Sequence, residues 1–283
     1  MRTGSTVTGP DYLGGPLSNV AVPIAKTPRC SRQTLDIEPQ TCQTAAVRST
    51  VLVVQNDPDK PLGAIADALV DAGVRLDVRS PDHDLPPVDR YAGLIVLPGL
   101  ANPVDEHAAV QRARGAIHAA LELELPTLGI CLGGQLLVQA LGGRVYPCKP
   151  ELGFGEVFAS PAAFTDPLLL GAPERFSVFH AHTFAFEAPA GADVLLTNDA
   201  STQACRNGEA WAFQCHPEIS REWVARLAAG LRGQDGGLPP GTTDFFVRNR
   251  VSPEDLERDA RLAQAAVSRV AAGIADGFAS RVT

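Results

Sequence analysis

The sequence lacks the features that would assign a protein to a membrane, to secretion or to nucleic acid. No apolar run approaches the roughly 18 residues that a membrane-spanning helix needs, and the first ten residues lack the apolar core of a secretory signal. Basic residues are also in deficit: 24 Lys and Arg against 32 Asp and Glu give a formal charge of −8, which argues against nucleic acid or an anionic membrane as the main partner. We therefore expect a cytoplasmic protein.

Cysteine is sparse, and nucleotide-binding motifs are missing. The six cysteines in 283 residues follow neither a zinc pattern nor a disulfide-dense one, which is typical of a reducing compartment, although a pairing of Cys30 with Cys42 stays open. The sequence contains no Gly-x-x-x-x-Gly-Lys-[Ser/Thr] phosphate loop. We therefore predict no cofactor and no bound metal.

The most informative segment is Gly129-Ile130-Cys131-Leu132-Gly133-Gly134-Gln135, in which a cysteine stands between glycines. The apolar run from Pro126 to Ile130 predicts a buried strand, and the residues from Gln135 to Leu141 predict a helix. A turn this tight has no room for side chains two positions before and two after the cysteine, and both positions are glycine. The pattern therefore predicts a nucleophile elbow, with the Cys131 sulfur at a helix N-terminus whose partial positive charge favours the thiolate.

A second segment, Gln214-Cys215-His216-Pro217-Glu218, supplies a base and an acid. It continues a run from Ala210 that predicts a strand, so His216 and Glu218 project to the same side if the chain stays extended. A carboxylate beside an imidazole accepts the Nδ1 proton, leaves Nε2 to face a thiol, and stabilises the imidazolium. The chain order Cys, His, Glu differs from that of α/β-hydrolases, in which the acid precedes the histidine.

In these two segments the sequence resembles the class I glutamine amidotransferases, and specifically the stand-alone members that are similar to the glutaminase domain of GMP synthetase. The similarity runs from about Val51 to about Arg226. It includes further phrases typical of the family, in the expected order: Leu94 to Gly99, Ala140 to Val145, Asp166-Pro167-Leu168, Phe179 to Phe184, Gln203 to Arg206 and Gln214 to Glu218. A lone Gly-x-Cys-x-Gly would be a weak signal, and its combination with His-Pro-Glu is a strong one.

The resemblance implies a catalytic triad. Cys131 would attack the side-chain amide of glutamine, His216 would act as base and then as acid, and Glu218 would orient the imidazole. The products would be a glutamyl thioester and ammonia, and water would then release glutamate from the thioester.

The resemblance also implies an oxyanion hole built from backbone N–H groups. One would follow the nucleophile and the others would come from a glycine-rich loop after an earlier strand: Leu132, Gly99 and Leu100. In the family this loop usually reads Gly-Gly-Pro, whereas this chain has Pro98-Gly99-Leu100-Ala101. One glycine remains, which keeps the oxyanion hole plausible.

The substrate side of the site departs from the family pattern. Gln135 matches the family glutamine that helps to hold the substrate, and His180-Ala181-His182 stands where relatives often carry His-x-Asp near the substrate amino group. A neutral imidazole cannot replace an acidic partner for an ammonium, so a preference for free glutamine over another γ-glutamyl amide stays open. His180 and His182 share a strand face, but two ligands do not make a metal site.

Strand and helix patterns alternate from Val51 onward, which predicts an α/β fold. We expect a three-layer, flavodoxin-like sandwich with a mainly parallel or mixed central sheet, helices on both faces, and the active site beyond the carboxyl ends of the strands. Residues 1–48 predict a flexible arm, 49–230 the catalytic domain, and 231–283 a linker and a C-terminal amphipathic helix that packs on the domain. A homodimer contact through this helix is the alternative.

Three functions follow from these features. The chain is a glutaminase that hands ammonia to a separate synthetase subunit, an independent hydrolase or transpeptidase of γ-glutamyl amides or peptides, or a non-catalytic relative that binds a ligand in the same cleft. The arm and the tail are each too short for an independent nucleotide-binding domain, so any synthetase would be a separate chain. The complete triad argues against the third hypothesis.

Overall fold

A nine-stranded mixed sheet organises the computed structural model, which describes residues 49–283. The predicted arm over residues 1–48 lies outside the described residues. The strands are β1 (Thr50–Val54), β2 (Arg75–Arg79), β3 (Gly93–Val96), β4 (Thr127–Ile130), β5 (Arg144–Ala159), β6 (Arg175–Glu187), β7 (Asp193–Thr197), β8 (Thr202–Asn207) and β9 (Ala210–Phe213), in the sheet order β2-β1-β3-β4-β9-β8-β6-β5-β7.

Six α-helices accompany this sheet within the described residues: α1 (Ala64–Asp71), α2 (Ala108–Glu122), α3 (Leu132–Ala140), α4 (Arg221–Leu231), α5 (Pro240–Arg248) and α6 (Pro253–Val282). Side chains alternate along β1, so successive residues contact helices on opposite faces of the sheet. Val53 joins one apolar cluster with Ile65 of α1 and Ile274 of α6, and Leu52 joins another with Ile117 of α2. The predicted α/β fold is confirmed. None of these helices is both long and apolar enough to cross a membrane.

The parallel half of the sheet brings the two predicted motifs to the same edge. Strands β2, β1, β3, β4 and β9 run parallel, and β4 pairs with β9 so that Ile130 lies opposite Phe213. Cys131 follows β4 directly, and the segment from Gln214 to Glu218 follows β9. Both motifs therefore lie at the carboxyl ends of neighbouring strands, where ligands bind in open α/β sheets.

The antiparallel half is built around a long β5–β6 hairpin. Its strands have 16 and 13 residues. Strand β5 contains prolines and glycines, and its pairing with β6 has a register shift between Pro147 and Glu151. An isolated bridge between Phe179 of β6 and His216 then joins this hairpin to the end of β9.

The C-terminal segment forms two helices. α5 lies in the stretch that the sequence indicated as a linker, and its pattern of prolines, glycines and threonines gave no sign of it. α6 begins after Ser252, whose Oγ accepts the N–H of Asp255 at 3.1 Å. It contacts α1, α4, β5 and β6, and its apolar stripe, which includes Leu256, Val267 and Phe278, is buried there.

Glycines make the tight turn between β4 and α3 possible. A Cβ on Gly129 would lie 2.5 Å from the carbonyl oxygen of Gly133, and a Cβ on Gly133 would overlap the carbonyl oxygen of Val96 in β3. A Cβ on Gly134 would lie 2.6 Å from the carbonyl oxygen of Phe213. Since all of these neighbours are backbone atoms, a side chain cannot be accommodated by a rotamer change.

We therefore expect Gly133→Ala to lower the free energy of unfolding by at least about 2 kcal/mol, because the backbone must shift to relieve the overlap. Gly115→Ala is the matched control, since Gly115 lies exposed within α2 with open space around it. There alanine should stabilise the chain by up to about 1 kcal/mol through helix propensity. Urea unfolding of both variants measures the difference, and equal effects at the two sites would contradict the packing argument.

Candidate active site

Cys131 stands at the elbow in a strained backbone conformation. Its φ is 50° and its ψ is −109°, values that L-residues rarely adopt, and it occupies the N-cap position of α3. Its own N–H donates to the carbonyl of Phe213 at 2.7 Å, which ties the turn to β9. The sulfur therefore sits at the head of a helix, where the N–H groups of the first turn are free to face a negative charge.

His216 and Glu218 form a buried pair beside this cysteine. Nδ1 of His216 lies 2.7 Å from Oε1 of Glu218, and the two residues are only 4% and 1% exposed. The backbone N–H of His216 donates to the carbonyl of Phe179 at 2.8 Å, and the Phe179 ring contacts the imidazole edge to face. These contacts fix the orientation of the ring. The second ring nitrogen, Nε2, is therefore left for the thiol of Cys131.

The charges around His216 raise its pKa. Burial alone acts to lower it, but the carboxylate of Glu218 and the Cys131 sulfur, through charge and hydrogen bonding, raise the pKa of His216 to about 10. This value lies above that of about 6.5 for an unfolded histidine. The stabilisation that the charged imidazole gives the fold is therefore complete below pH 6.5 and is lost as the pH rises toward 10.

A cleft of about 340 Å³ opens above the three residues. Besides Cys131, its lining includes two basic side chains, Lys60 and Arg248, and an aromatic wall made by Phe179, Phe184, Trp223, Phe245 and Phe246. Sequence reasoning missed Lys60 and everything that α5 contributes, because no motif marks these residues. Their place in the cleft results from tertiary packing alone.

The predicted oxyanion loop lies beside the elbow. A Cβ on Gly99 would lie 2.8 Å from the Leu132 side chain, so this side chain packs directly against the Gly99 backbone. Leu100 differs from the prediction: its N–H donates to Oδ2 of Asp57 at 2.6 Å, so it is not available to a substrate oxygen in this conformation. Asp57 also contacts Nζ of Lys60 at 3.2 Å.

Gln135 lies in the cleft wall and is connected to the nucleophile through a second amide. Its Nε2 donates to the carbonyl of Phe184 at 3.0 Å and to Oε1 of Gln214 at 3.1 Å. Nε2 of Gln214 in turn lies 3.9 Å from the Cys131 sulfur. Gln214 was part of the sequence motif without an assigned role, and the structure places its amide against the sulfur.

The two remaining histidines differ in position. His182 lines the cleft, whereas His180 does not, although both are almost completely buried. Burial, with the nearby charge of His216, lowers the pKa of His180 to about 4; burial, with His180 and His216, lowers the pKa of His182 to about 3. Nε2 of His182 lies 3.2 Å from Oε2 of Glu151, a residue that sequence reasoning missed because it lies on the partner strand.

The fold and this site define a cysteine-containing α/β protein of the amidotransferase type. Residues 59–223 match the family glutamine amidotransferase class-I, and the chain belongs to this family.

Relatives with known names agree with this assignment. The chain is 34% identical over 190 residues to the imidazole glycerol phosphate synthase subunit HisH of Xanthomonas axonopodis pv. citri, an alignment that covers 56% of this chain and 93% of that protein. It is 37% identical over 135 residues to the GMP synthase [glutamine-hydrolyzing] of Thermomicrobium roseum, covering 46% of this chain and 25% of that protein. The chain thus spans about a quarter of that GMP synthase and nearly all of the HisH subunit.

Solved structures show the same fold. A glutamine amidotransferase from Thermotoga maritima has a TM-score of 0.72 at 22% identity, covering 82% of this chain and 98% of that chain. A glutamine amido transferase from Methylobacillus flagellatus has a TM-score of 0.70 at 23% identity, covering 83% of this chain and 96% of that chain. Both likenesses cover a larger share of this chain than the residues that match the family.

The raised pKa of His216 leads to a direct test by NMR titration of the histidine ring signals. We expect the His216 ring to stay protonated through the neutral range. In Glu218→Gln the carboxylate charge is gone, while burial still disfavours the imidazolium and the Cys131 sulfur still favours it, so the His216 pKa should fall below its wild-type value. The signal is assigned by its loss in His216→Asn, and titration near pH 6.5 in both proteins would contradict the ion-pair account.

Proposed function

We propose that this chain hydrolyses the side-chain amide of glutamine through a γ-glutamyl thioester on Cys131 and releases glutamate and ammonia. The observation that carries the proposal is the arrangement of Cys131, His216 and Glu218 in one cleft, with the imidazole held by a 2.7 Å contact to the carboxylate. Membership of the family supports it. A protein that only bound a ligand would have no need of all three groups.

In the first step the Cys131 sulfur attacks the side-chain amide carbon, and a carbon–sulfur bond forms. The charged imidazole of His216 favours the thiolate, which is the attacking form. The oxygen of the tetrahedral intermediate is stabilised by the backbone N–H groups of Leu132 and Gly99, while Leu100 joins them only if Asp57 releases it. His216 then donates its proton to the nitrogen, the carbon–nitrogen bond breaks, and ammonia leaves.

In the second step water cleaves the thioester. Neutral His216 takes a proton from the water as the oxygen attacks, the carbon–sulfur bond breaks, and glutamate is released with the sulfur returned to its starting form. The carboxylate of Glu218 stays hydrogen-bonded to Nδ1 of His216 through both steps. It stabilises the imidazolium each time that His216 is protonated. In this scheme Gln135 positions the substrate amide, and Gln214 positions the sulfur.

Ammonia released in the cleft would serve a separate synthase. The HisH relatives are named as subunits of a synthase, and this chain covers 93% of one of them. We also propose that the catalytic unit extends beyond residue 230, because Thr242, Phe245 and Arg248 of α5 line the cleft.

A second candidate is an independent hydrolase of γ-glutamyl compounds, and the charge of the cleft favours it. His182 is neutral at physiological pH and offers no acidic partner to an α-ammonium group. The lining contains Arg248 and also Lys60, which is paired with Asp57 and Asp59, while the one lining carboxylate, Glu218, is engaged by His216. Arg248 could pair with the additional carboxylate of a γ-glutamyl compound that carries one on its amine side.

The mechanism predicts that Cys131→Ala abolishes glutamate release from glutamine and from every γ-glutamyl substrate, because no other group can form the thioester. Cys205→Ala, which removes a buried thiol on β8 away from the cleft, should remain active. Both proteins are assayed for glutamate and for ammonia with a panel of glutamine, γ-glutamyl amides and γ-glutamyl peptides. Turnover that survives in Cys131→Ala would overturn the mechanism.

The charge of the cleft predicts the outcome of His182→Asp. The new carboxylate would pair with the substrate α-ammonium, so kcat/KM for glutamine should rise at least about tenfold relative to Nα-acetylglutamine, since a hydrogen bond between charged groups contributes about 1.5–3 kcal/mol. His182→Asn is the matched neutral control and should leave the ratio of the two substrates near the wild-type value. If the ratio of kcat/KM for glutamine to that for Nα-acetylglutamine changes equally in both variants, residue 182 does not contact the substrate ammonium.

A further inference from the structure

We propose that Glu151, His180 and His182 form a binding site for a divalent transition-metal ion such as Zn²⁺, next to the catalytic cleft. The three residues each offer one ligand atom, and these atoms lie within 4.8 Å of one another. Two imidazoles and one carboxylate are a donor set that such ions take in proteins. This site shares no residue with the triad of Cys131, His216 and Glu218.

The register of the β5–β6 hairpin creates the cluster. Glu151 lies opposite His182, and His180 lies two residues away on the same face of β6. The residue opposite His180 is Gly153, which leaves that position of β5 without a side chain. The His180 ring itself packs over Gly155, where an added Cβ would lie 3.3 Å from Nε2.

His180 carries the strongest sign of a missing ligand. The residue is 2% exposed, and the backbone of Gly155 contacts its ring, but neither Nδ1 nor Nε2 makes a hydrogen bond of good geometry among the described residues. Nε2 of His182 is also buried without a hydrogen bond, although it lies 3.2 Å from the carboxylate of Glu151. Buried polar groups in proteins almost always have partners, so these nitrogens call for an explanation. A metal ion would satisfy both rings at once.

Neighbouring side chains contact the proposed ligands and hold them in position, as they do around metal ions in other proteins. The carboxylate of Glu151 accepts Nδ2 of Asn198 at 2.5 Å and Nε2 of Gln203 at 3.2 Å. The other ring nitrogen of His182, Nδ1, lies 3.9 Å from the sulfur of Cys148. Partners of this kind fix the tautomer and the orientation of ligating side chains.

The distances fit an ion after a small adjustment. At zinc–ligand distances of about 2.1 Å, two ligand atoms of a tetrahedral site stand about 3.4 Å apart. The His182–Glu151 pair at 3.2 Å already matches this spacing. The longest separation in the cluster must shorten by at most about 1.4 Å from its limit of 4.8 Å. Glu151 is partly exposed and gives an ion a route from solvent.

The test is a titration of the full chain carrying Cys131→Ala with zinc chloride by calorimetry, and with cobalt chloride by visible absorption. The substitution removes the catalytic thiol, which could otherwise bind metal together with His216. We expect one equivalent of metal per chain. Glu151→Gln and His180→Asn in the same background should each weaken binding by at least about tenfold, since the loss of an outer partner alone costs 10–100-fold.

His118→Asn is the control, because this histidine is exposed on α2, and it should leave the one-equivalent binding unchanged. Circular dichroism establishes that each variant is folded, and if His180→Asn fails this check, Glu151→Gln decides alone. Glu151 is partly exposed, so its near-isosteric change tests the ligand without emptying the core. Binding that is absent, or that is unchanged in the folded ligand variants, would overturn the proposal.

Discussion

The tight turn after β4 is the constraint on which the rest of the site depends. The backbone of Gly133 lies against β3, and that of Gly134 lies against the end of β9, so the start of α3 is pressed onto the carboxyl edge of the sheet. Cys131, held between these contacts, has a positive φ at the N-cap of α3. The strain is held by backbone contacts on two neighbouring strands, and for that reason it can be maintained while the side chain stays free for chemistry.

A second constraint is electrostatic. His216 and Glu218 are buried together, where an unpaired charge would be very costly, and each makes the charged form of the other tolerable. The ring is also locked by Phe179, whose carbonyl and side chain both contact His216. The long β5–β6 hairpin therefore does more than extend the sheet, because it supplies Phe179, which holds the His216 ring in place. The same hairpin brings Glu151 and the two other histidines together on its own face.

The elements that follow from local pattern could be predicted from the sequence. The apolar run before Cys131, the glycines around it and the alternation of strands and helices are local signals, and the α/β fold they indicated is confirmed. Three features could not be predicted in this way. The linker at 240–248 forms α5 and closes the cleft, the N–H of Leu100 is taken by Asp57, and Glu151 meets His182 across two strands. Each of them depends on contacts between residues distant in sequence, for which spacing gives no signal.

The central claim is that Cys131 is a nucleophile activated by His216 within a glutamine-binding cleft. The most direct measurement is covalent labelling with a glutamine analogue that carries an electrophilic carbon in place of the side-chain amide, followed by mass mapping of the modified peptide. The account predicts that Cys131 alone among the cysteines is labelled, that glutamine or a γ-glutamyl substrate protects it, and that labelling slows strongly in His216→Ala. Labelling of Cys148 at a comparable rate, or labelling of Cys131 that is indifferent to His216, would contradict the account.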